Sequence, residues 1–307
     1  MTLHYDVRGL TDPNARTIIL SSGLGGSGSY WAPQIAALAP HFRIVTYDHR
    51  GTGRSGGEAS EGGIAAMADD VLEIADALSL ARFDFMGHAL GGLIGLDIAL
   101  RRPEAIASLV LINAWSRADP HSGRCFDVRI ALLENAGVAA FVKAQPLFLY
   151  PAVWMSEHAA RLAEDEAHGI AHFQGRDNIL RRIAALRAFD IDAHLADIAA
   201  PTLVVATRDD LLVPYTRSLR LAEGLPHATL ALADFGGHAV NVTEPAWFDR
   251  VVGEFLSGLP GIYEQGLPLK PGGHARDPGE AKGARALPGQ RDGVTTRSQR
   301  VRPSGGG

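Results

Sequence analysis

A single cysteine, Cys125, serves all 307 residues. No intrachain disulfide can form, and zinc sites built from two or four cysteines are excluded. The first residues lack a basic stretch followed by an apolar run, so no secretory leader is expected. No apolar run is long enough to cross a bilayer. Large charge of one sign is also missing. The formal net charge is −5, which gives no reason to expect a polyanionic partner.

Charge is nonetheless uneven. Residues 261–307 hold eight Lys/Arg and four Asp/Glu, a net of +4, which leaves −9 on the rest of the chain. That stretch is punctuated by Pro268, Pro271, Gly272, Gly273, Pro278, Pro288 and the final Gly305-Gly306-Gly307. Large apolar residues are scarce in it, so burial cannot offset the entropy of ordering it. Its cations are scattered and without interleaved aromatics. A disordered extension is expected there, not a nucleic-acid arm.

What is present is a regular alternation. Thr17–Leu20, Arg43–Tyr47, Phe83–Met86 and Ser108–Ile112 are near-continuously apolar or β-branched, as parallel strands covered on both faces should be. Between them Met67, Val71, Ile74 and Leu78 mark one helix face, and Leu93 to Leu100 reads as a buried helix. Strand alternating with helix predicts a mostly parallel sheet flanked by helices. From 116 to about 195 the pattern is helical, with Arg124, Lys143, Gln145, Trp154, His172, Gln174 and Asn178 able to reach a pocket. Strands resume at Thr202–Ala206 and Ala228–Leu232, and a last helix is predicted from Thr243 as N-cap with Pro245 in its first turn. The expectation is an α/β domain over 1–258 with a helical cap inserted at about 116–195, covering the sheet edge where ligands bind.

The most telling absence is one hydroxyl. Met86-Gly87-His88-Ala89-Leu90-Gly91-Gly92 ends an apolar run in a Gly-x-x-x-Gly turn. A nucleophile elbow places serine at the middle position, between strand and helix. Here the position is Ala89, which can neither attack a carbonyl nor donate a proton. Ser22 and Ser27 are nearby hydroxyls that nothing in the sequence activates. Cys125 lies in the cap pattern without a positive partner turn.

Other elements of a hydrolytic site remain. Gly23-Leu24-Gly25-Gly26-Ser27-Gly28 follows a strand and lets backbone N–H groups converge. It suits half an oxyanion hole at the Leu24 N–H, a phosphate cradle without its Gly-Lys-Ser/Thr ending, or a tight turn. Asp48-His49-Arg50-Gly51-Thr52-Gly53 reads as a structural loop, with a pocket role for Arg50 as the alternative. Asp210, four residues before Pro214 and just after a strand, fits the acid of a triad, with Asp209 as the neighbour it could be confused with. His238, behind Gly236-Gly237 on the next strand-to-helix loop, fits the base. His88 either meets substrate or packs. Asn113, Trp115 and Trp154 are further candidate substrate contacts.

These segments, together with Gln145-Pro146-Leu147-Phe148-Leu149-Tyr150-Pro151, His172-Phe173-Gln174-Gly175 and Gly236-Gly237-His238-Ala239-Val240-Asn241-Val242-Thr243, resemble the RutD family of the α/β-hydrolase superfamily. RutD proteins also carry alanine at the elbow, so Ala89 matches that family and departs from the wider one. The resemblance covers about residues 15–258 and implies an α/β-hydrolase fold. It also implies cleavage of a C–N bond in a very small intermediate of uracil and thymine breakdown, carbamate or 3-aminoacrylate. The expected mechanism is His238 backed by Asp210 activating water beside Ala89, with the Leu24 and Leu90 N–H groups holding the developing oxyanion. A cytoplasmic enzyme is expected, with no metal or cofactor, acting on a small molecule and not on nucleic acid or membrane; a homodimer is open. Three alternatives stand: a cofactor-free His–Asp oxygenase or lyase, a non-catalytic binding module on a hydrolase scaffold, and a serine esterase with a displaced nucleophile.

Overall fold

A computed structural model describes residues 3–258. The expected disordered extension at 261–307 lies outside the described residues. The strands are β1 Tyr5–Gly9, β2 Thr17–Ser21, β3 Arg43–Tyr47, β4 Phe83–His88, β5 Ile106–Ile112, β6 Thr202–Thr207 and β7 Ala228–Ala233. They form one sheet in the order β1-β3-β2-β4-β5-β6-β7. β1 is antiparallel to β3 and every other pairing is parallel. The sequence pattern missed β1, whose residues are intermediate or exposed. An edge strand needs no continuous apolar run, so periodicity gives it no signal.

The helices are α1 Ala32–Leu38, α2 Gly63–Ala77, α3 Leu90–Arg101, α4 Pro120–Asn135, α5 Gly137–Leu149, α6 Ala152–Glu157, α7 Ala159–Ala171, α8 Arg176–Ala188, α9 Thr216–Gly224, α10 Val240–Thr243 and α11 Pro245–Ser257. Alternation along the strands sorts the core into two layers. Ile18, Leu20, Ile44, Met86, Val110 and Ile112 face α1 and α11. Ile19, Val45, Phe85, Leu109 and Leu111 face α2 and α3. Both faces are covered, which is why these strands read as unbroken apolar runs. Each such side chain contributes about 1.5–3 kcal/mol by leaving water.

Contrary to the expectation from sequence, Thr243 does not cap the last helix. It ends the short α10, its hydroxyl donates to the Gly236 carbonyl at 2.7 Å, and Glu244 precedes Pro245 at the start of α11. Thr243 is therefore part of the histidine loop and not a helix start. Among the described residues no helix is long and apolar enough to cross a membrane.

The topology decides where chemistry can sit. From β2 the chain moves to β3 on one side, then crosses back to β4 on the other. The loops after β2 and β4 thus diverge from adjacent strand ends, with Ser21 opposite Gly87. Open α/β sheets bind ligands at such a reversal point.

Candidate active site

The glycine loop and the elbow are pressed together by close backbone approach. A Cβ on Gly91 would lie 2.1 Å from the Ser21 carbonyl oxygen, and one on Gly87 would lie 2.3 Å from the Gly91 carbonyl. Only glycine permits this contact between the turn and α3. At the apex Ala89 has φ 47° and ψ −108°, outside the comfortable range of an L-residue. The strained turn that would present a nucleophile is kept although the nucleophile is gone. Its N–H donates to the Ile112 carbonyl at 2.9 Å, which fixes the turn to the end of β5.

Asp210 and His238 meet at the C-terminal ends of β6 and β7. His238 Nδ1 lies 2.8 Å from Asp210 Oδ2, with both side chains essentially buried. Asp210 Oδ1 accepts from the Leu212 and Val213 N–H groups at 2.7 and 2.9 Å. The carboxylate is held by its own loop, and the histidine ring is held by the carboxylate. Asp209 points elsewhere: it accepts from the Gly236 and Gly237 N–H groups at 3.3 and 2.9 Å. The two neighbouring aspartates thus split the work, one orienting the ring and the other shaping the loop that carries it.

The same loop is anchored from below. Thr207 Oγ1 donates to the Gly237 carbonyl at 2.8 Å, and Asn113 Nδ2 donates to the His238 carbonyl at 2.6 Å. His88 Nε2 lies 2.8 Å from that same carbonyl. A carbonyl can only accept, so Nε2 carries the hydrogen and Nδ1 is bare. Burial, and the neighbouring His238, push the His88 pKa down to about 3. The ring is therefore neutral. It stacks on Tyr30 at 5.1 Å between ring centres and packs 4.7 Å from His238.

A cavity of about 350 Å³ opens over this arrangement, lined by Leu24, Ala89, Leu90, Trp115 and His238 among others. The structure brings those residues, with His88, to one place. Asn113 and Trp154 sit elsewhere. Asn113, at φ 47°, works behind the histidine loop. Trp154 stacks on His158 at 4.0 Å and packs at a tilt against Tyr150 at 4.5 Å within the cap. Of the other cap candidates, Gln145 lines the cavity. Arg124, Lys143 and His172 are exposed, and Asn178 is buried, binding the Gly51 carbonyl and the Ala59 N–H. Gln174 donates to the Gly25 carbonyl of the glycine loop at 3.2 Å. Arg50 pairs with Asp70 of α2 at 2.6 Å and Asp48 accepts from the Gly28 N–H, so their loop is held structurally.

The cap is docked onto the acid. From α4, Ser122 Oγ donates to the Leu212 carbonyl at 2.8 Å and His121 Nε2 reaches the Leu211 carbonyl at 2.6 Å. Cys125 is buried on the same face, and burial raises its pKa, so it stays a thiol.

Two buried arginines escaped the sequence reading. Arg182 of α8 is fully buried, donating to the Arg50 carbonyl at 2.8 Å and the Leu24 carbonyl at 3.4 Å, and bonded to Gln174. It braces the glycine loop. Arg129 of α4 is 3% exposed and lines the cavity. The signal was periodicity: Ser122, Cys125, Phe126, Arg129 and Leu133 share the buried stripe of α4, an unusual place for an arginine. Among the described residues no group of three or more His, Cys, Asp or Glu is placed to hold a metal ion.

Comparison with known proteins agrees with the fold and narrows the family. The family described as alpha/beta hydrolase fold matches residues 16–135. A protein of Rhizobium rhizogenes named "Putative carbamate hydrolase RutD" is 75% identical over 255 residues, covering 83% of this chain and 97% of its own. Its namesake in Agrobacterium fabrum is 74% identical over 255 residues, 83% and 98% of the two chains. Among solved structures the enol-lactonase of Burkholderia xenovorans superposes with a TM-score of 0.76 at 30% identity, covering 83% of this chain and 96% of that one. An oriented His–Asp pair under a helical cap, a retained elbow without its hydroxyl, and this degree of identity lead to one conclusion: the chain belongs to the RutD family of α/β-hydrolase-fold enzymes.

Proposed function

We propose that this enzyme hydrolyses a C–N bond in a small intermediate of pyrimidine breakdown, with water as the direct nucleophile. Its RutD relatives are named for carbamate. Carbamate would give ammonia and bicarbonate, and 3-aminoacrylate would give ammonia and malonic semialdehyde by way of its enol. The observation that carries the reading is the buried His238–Asp210 pair at 2.8 Å on the wall of the cavity that Ala89 also lines.

With Nδ1 committed to Asp210, Nε2 is the ring nitrogen left for a water molecule. Ala89 leaves room for that water where a serine hydroxyl would stand. The water oxygen bonds to the carbon bearing nitrogen as His238 takes its proton. The same proton then passes to the nitrogen, the C–N bond breaks and ammonia leaves. Asp210 holds the ring in one tautomer and stabilises its cation. The Leu90 N–H opens α3, where the first N–H groups have no intrahelical acceptor. With the Leu24 N–H it faces the oxygen on which charge develops. General-base assistance supplies about 10²–10⁴-fold and an oxyanion donor roughly 10²–10³-fold. That scale suits substrates that already decompose in water, and not a stable amide.

The test is ammonia release from carbamate and from freshly generated 3-aminoacrylate, each against its spontaneous rate. The wild type should exceed the background for one of them, and His238→Ala should fall to it. Turnover of H238A at the wild-type rate would refute the mechanism.

A further inference from the structure

The cavity has a second chemically distinct wall. Arg129 is buried, yet among the described residues no carboxylate lies within ion-pairing distance of it. One amide and two rings surround it instead. Nη2 donates to Gln145 Oε1 at 3.1 Å, and the guanidinium lies over Phe141 at 5.4 Å and Phe148 at 5.6 Å. Nε has no acceptor. Burying a cation this way costs several kcal/mol unless its charge and donors are met. Aromatic faces recover only part of that. Asp165 also lines the cavity, but its carboxylate is largely exposed and faces Arg161 at 3.6 Å. Asp210 is engaged with His238 and its own loop.

Position adds a constraint on size. Ser122 docks α4 onto the Asp210 loop, and Arg129 lies seven residues further along the same helix, about 10 Å of rise. A cavity of about 350 Å³ has room for roughly ten waters. Carbamate fills little of it, and its only carboxylate is the reacting carbon.

We propose that Arg129, supported by Gln145, is a carboxylate-binding subsite, and that the substrate carries a carboxylate separate from the carbon that water attacks. The planar guanidinium matches a carboxylate through parallel N–H donors, and Nη1, which makes no hydrogen bond among the described residues, supplies them beside Nη2, while Nε stays closed off from the cavity. The substrate class is then a short monoanionic acid with its scissile C–N bond at least one carbon from the carboxylate. This deepens the proposed function and rests on it only for the location of the attacked carbon; the anion subsite stands on Arg129 alone.

The experiment measures binding, so it does not depend on turnover. Propionate and its neutral isostere propionamide are titrated into the full chain, with affinities read from ligand NMR line widths. The wild type should prefer propionate by roughly 10- to 100-fold, the range of one or two charge-assisted hydrogen bonds. Arg129→Met should erase the preference and Arg129→Lys should restore part of it. The H238A variant should keep it in full. Equal affinity for the two probes in the wild type, or a preference that survives in R129M, would overturn the subsite. If R129M does not fold, Gln145→Leu should reduce the preference, and the wild-type comparison alone still decides. An active H238A variant that still prefers propionate would refute the catalytic reading and leave the subsite standing.

Discussion

The site shows how one residue type does different work through its surroundings. Asp209 and Asp210 are adjacent, yet only Asp210 touches His238, at 2.8 Å. Asp210→Asn keeps the shape but removes the charge that would stabilise the imidazolium in the proposed mechanism. It should lower kcat by about 10²–10⁴-fold with little change in KM. Asp209→Ala should instead loosen the Gly236-Gly237 turn and show itself in thermal unfolding as well as in rate. His88 makes a separate, pH-dependent contribution. Its folded pKa is about 3, against about 6.5 for an unfolded histidine. As pH falls below about 6.5 the unfolded chain gains a proton that the folded His88 refuses. The stability His88 supports is complete above that pH and is lost toward pH 3, by about 1.4 kcal/mol per pH unit at its steepest. His49, also held low by burial, adds in the same direction. Asp249, raised to about 6 by burial, opposes it between its ordinary value and 6. The difference between wild type and His88→Gln isolates one proton: denaturant unfolding from pH 7 to 5 should give a shallower decline in the variant. These roles could not be read from the sequence in full. The spacing of Asp210 and His238 after successive strands was legible, but the tautomer of His88 depends on a carbonyl 150 residues away, and its depressed pKa on burial and the neighbouring His238.

At the scale of elements, the site depends on backbone contact more than on side chains. The turn after β4 and the start of α3 lie against the end of β2, where Gly91 has no room for a methyl group beside Ser21. Gly91→Ala should cost at least the roughly 1–3 kcal/mol of an overpacked core, and should lower activity because the Leu24 and Leu90 N–H groups would separate. Measuring Tm and kcat together would show both losses; a G91A variant as stable and active as the wild type would contradict the packing argument. The strand pattern announced β2 to β7 because burial on both sheet faces leaves a continuous apolar run. It did not announce β1, an exposed edge strand, nor the split of the last helical segment into α10 and α11. That split follows from Pro245, which holds Glu244 out of the helical region at φ −128° and ψ 53°, while Thr243 Oγ1 turns back to the Gly236 carbonyl.

Across the whole molecule, the helical cap and the sheet are joined through polar groups buried at their junction. Arg182 reaches from α8 to the glycine loop, and Ser122 reaches from α4 to the acid loop. Arg182→Met would leave the Arg50 carbonyl without this donor and the Leu24 carbonyl with Gln174 Nε2 at 3.4 Å, at about 1–3 kcal/mol for a buried acceptor left unmet. It should lower stability and kcat together, because the same bonds that fix the cap also place Leu24, the proposed oxyanion donor. Thermal unfolding and ammonia release measured on one preparation would test that link.

Local pattern along the chain specifies the alternating strands and helices, the glycine-bounded turn without a serine, and the order of acid and histidine. Each is a local pattern of hydrophobicity, backbone permissiveness or side-chain chemistry. Only the folded chain shows what Asp209 binds instead of the imidazole, which way His88 donates its hydrogen, and that two arginines lie buried in the cap. Those outcomes depend on partners far apart in the chain that become neighbours only when the crossover at β2 and β4 and the docking of the cap bring them together.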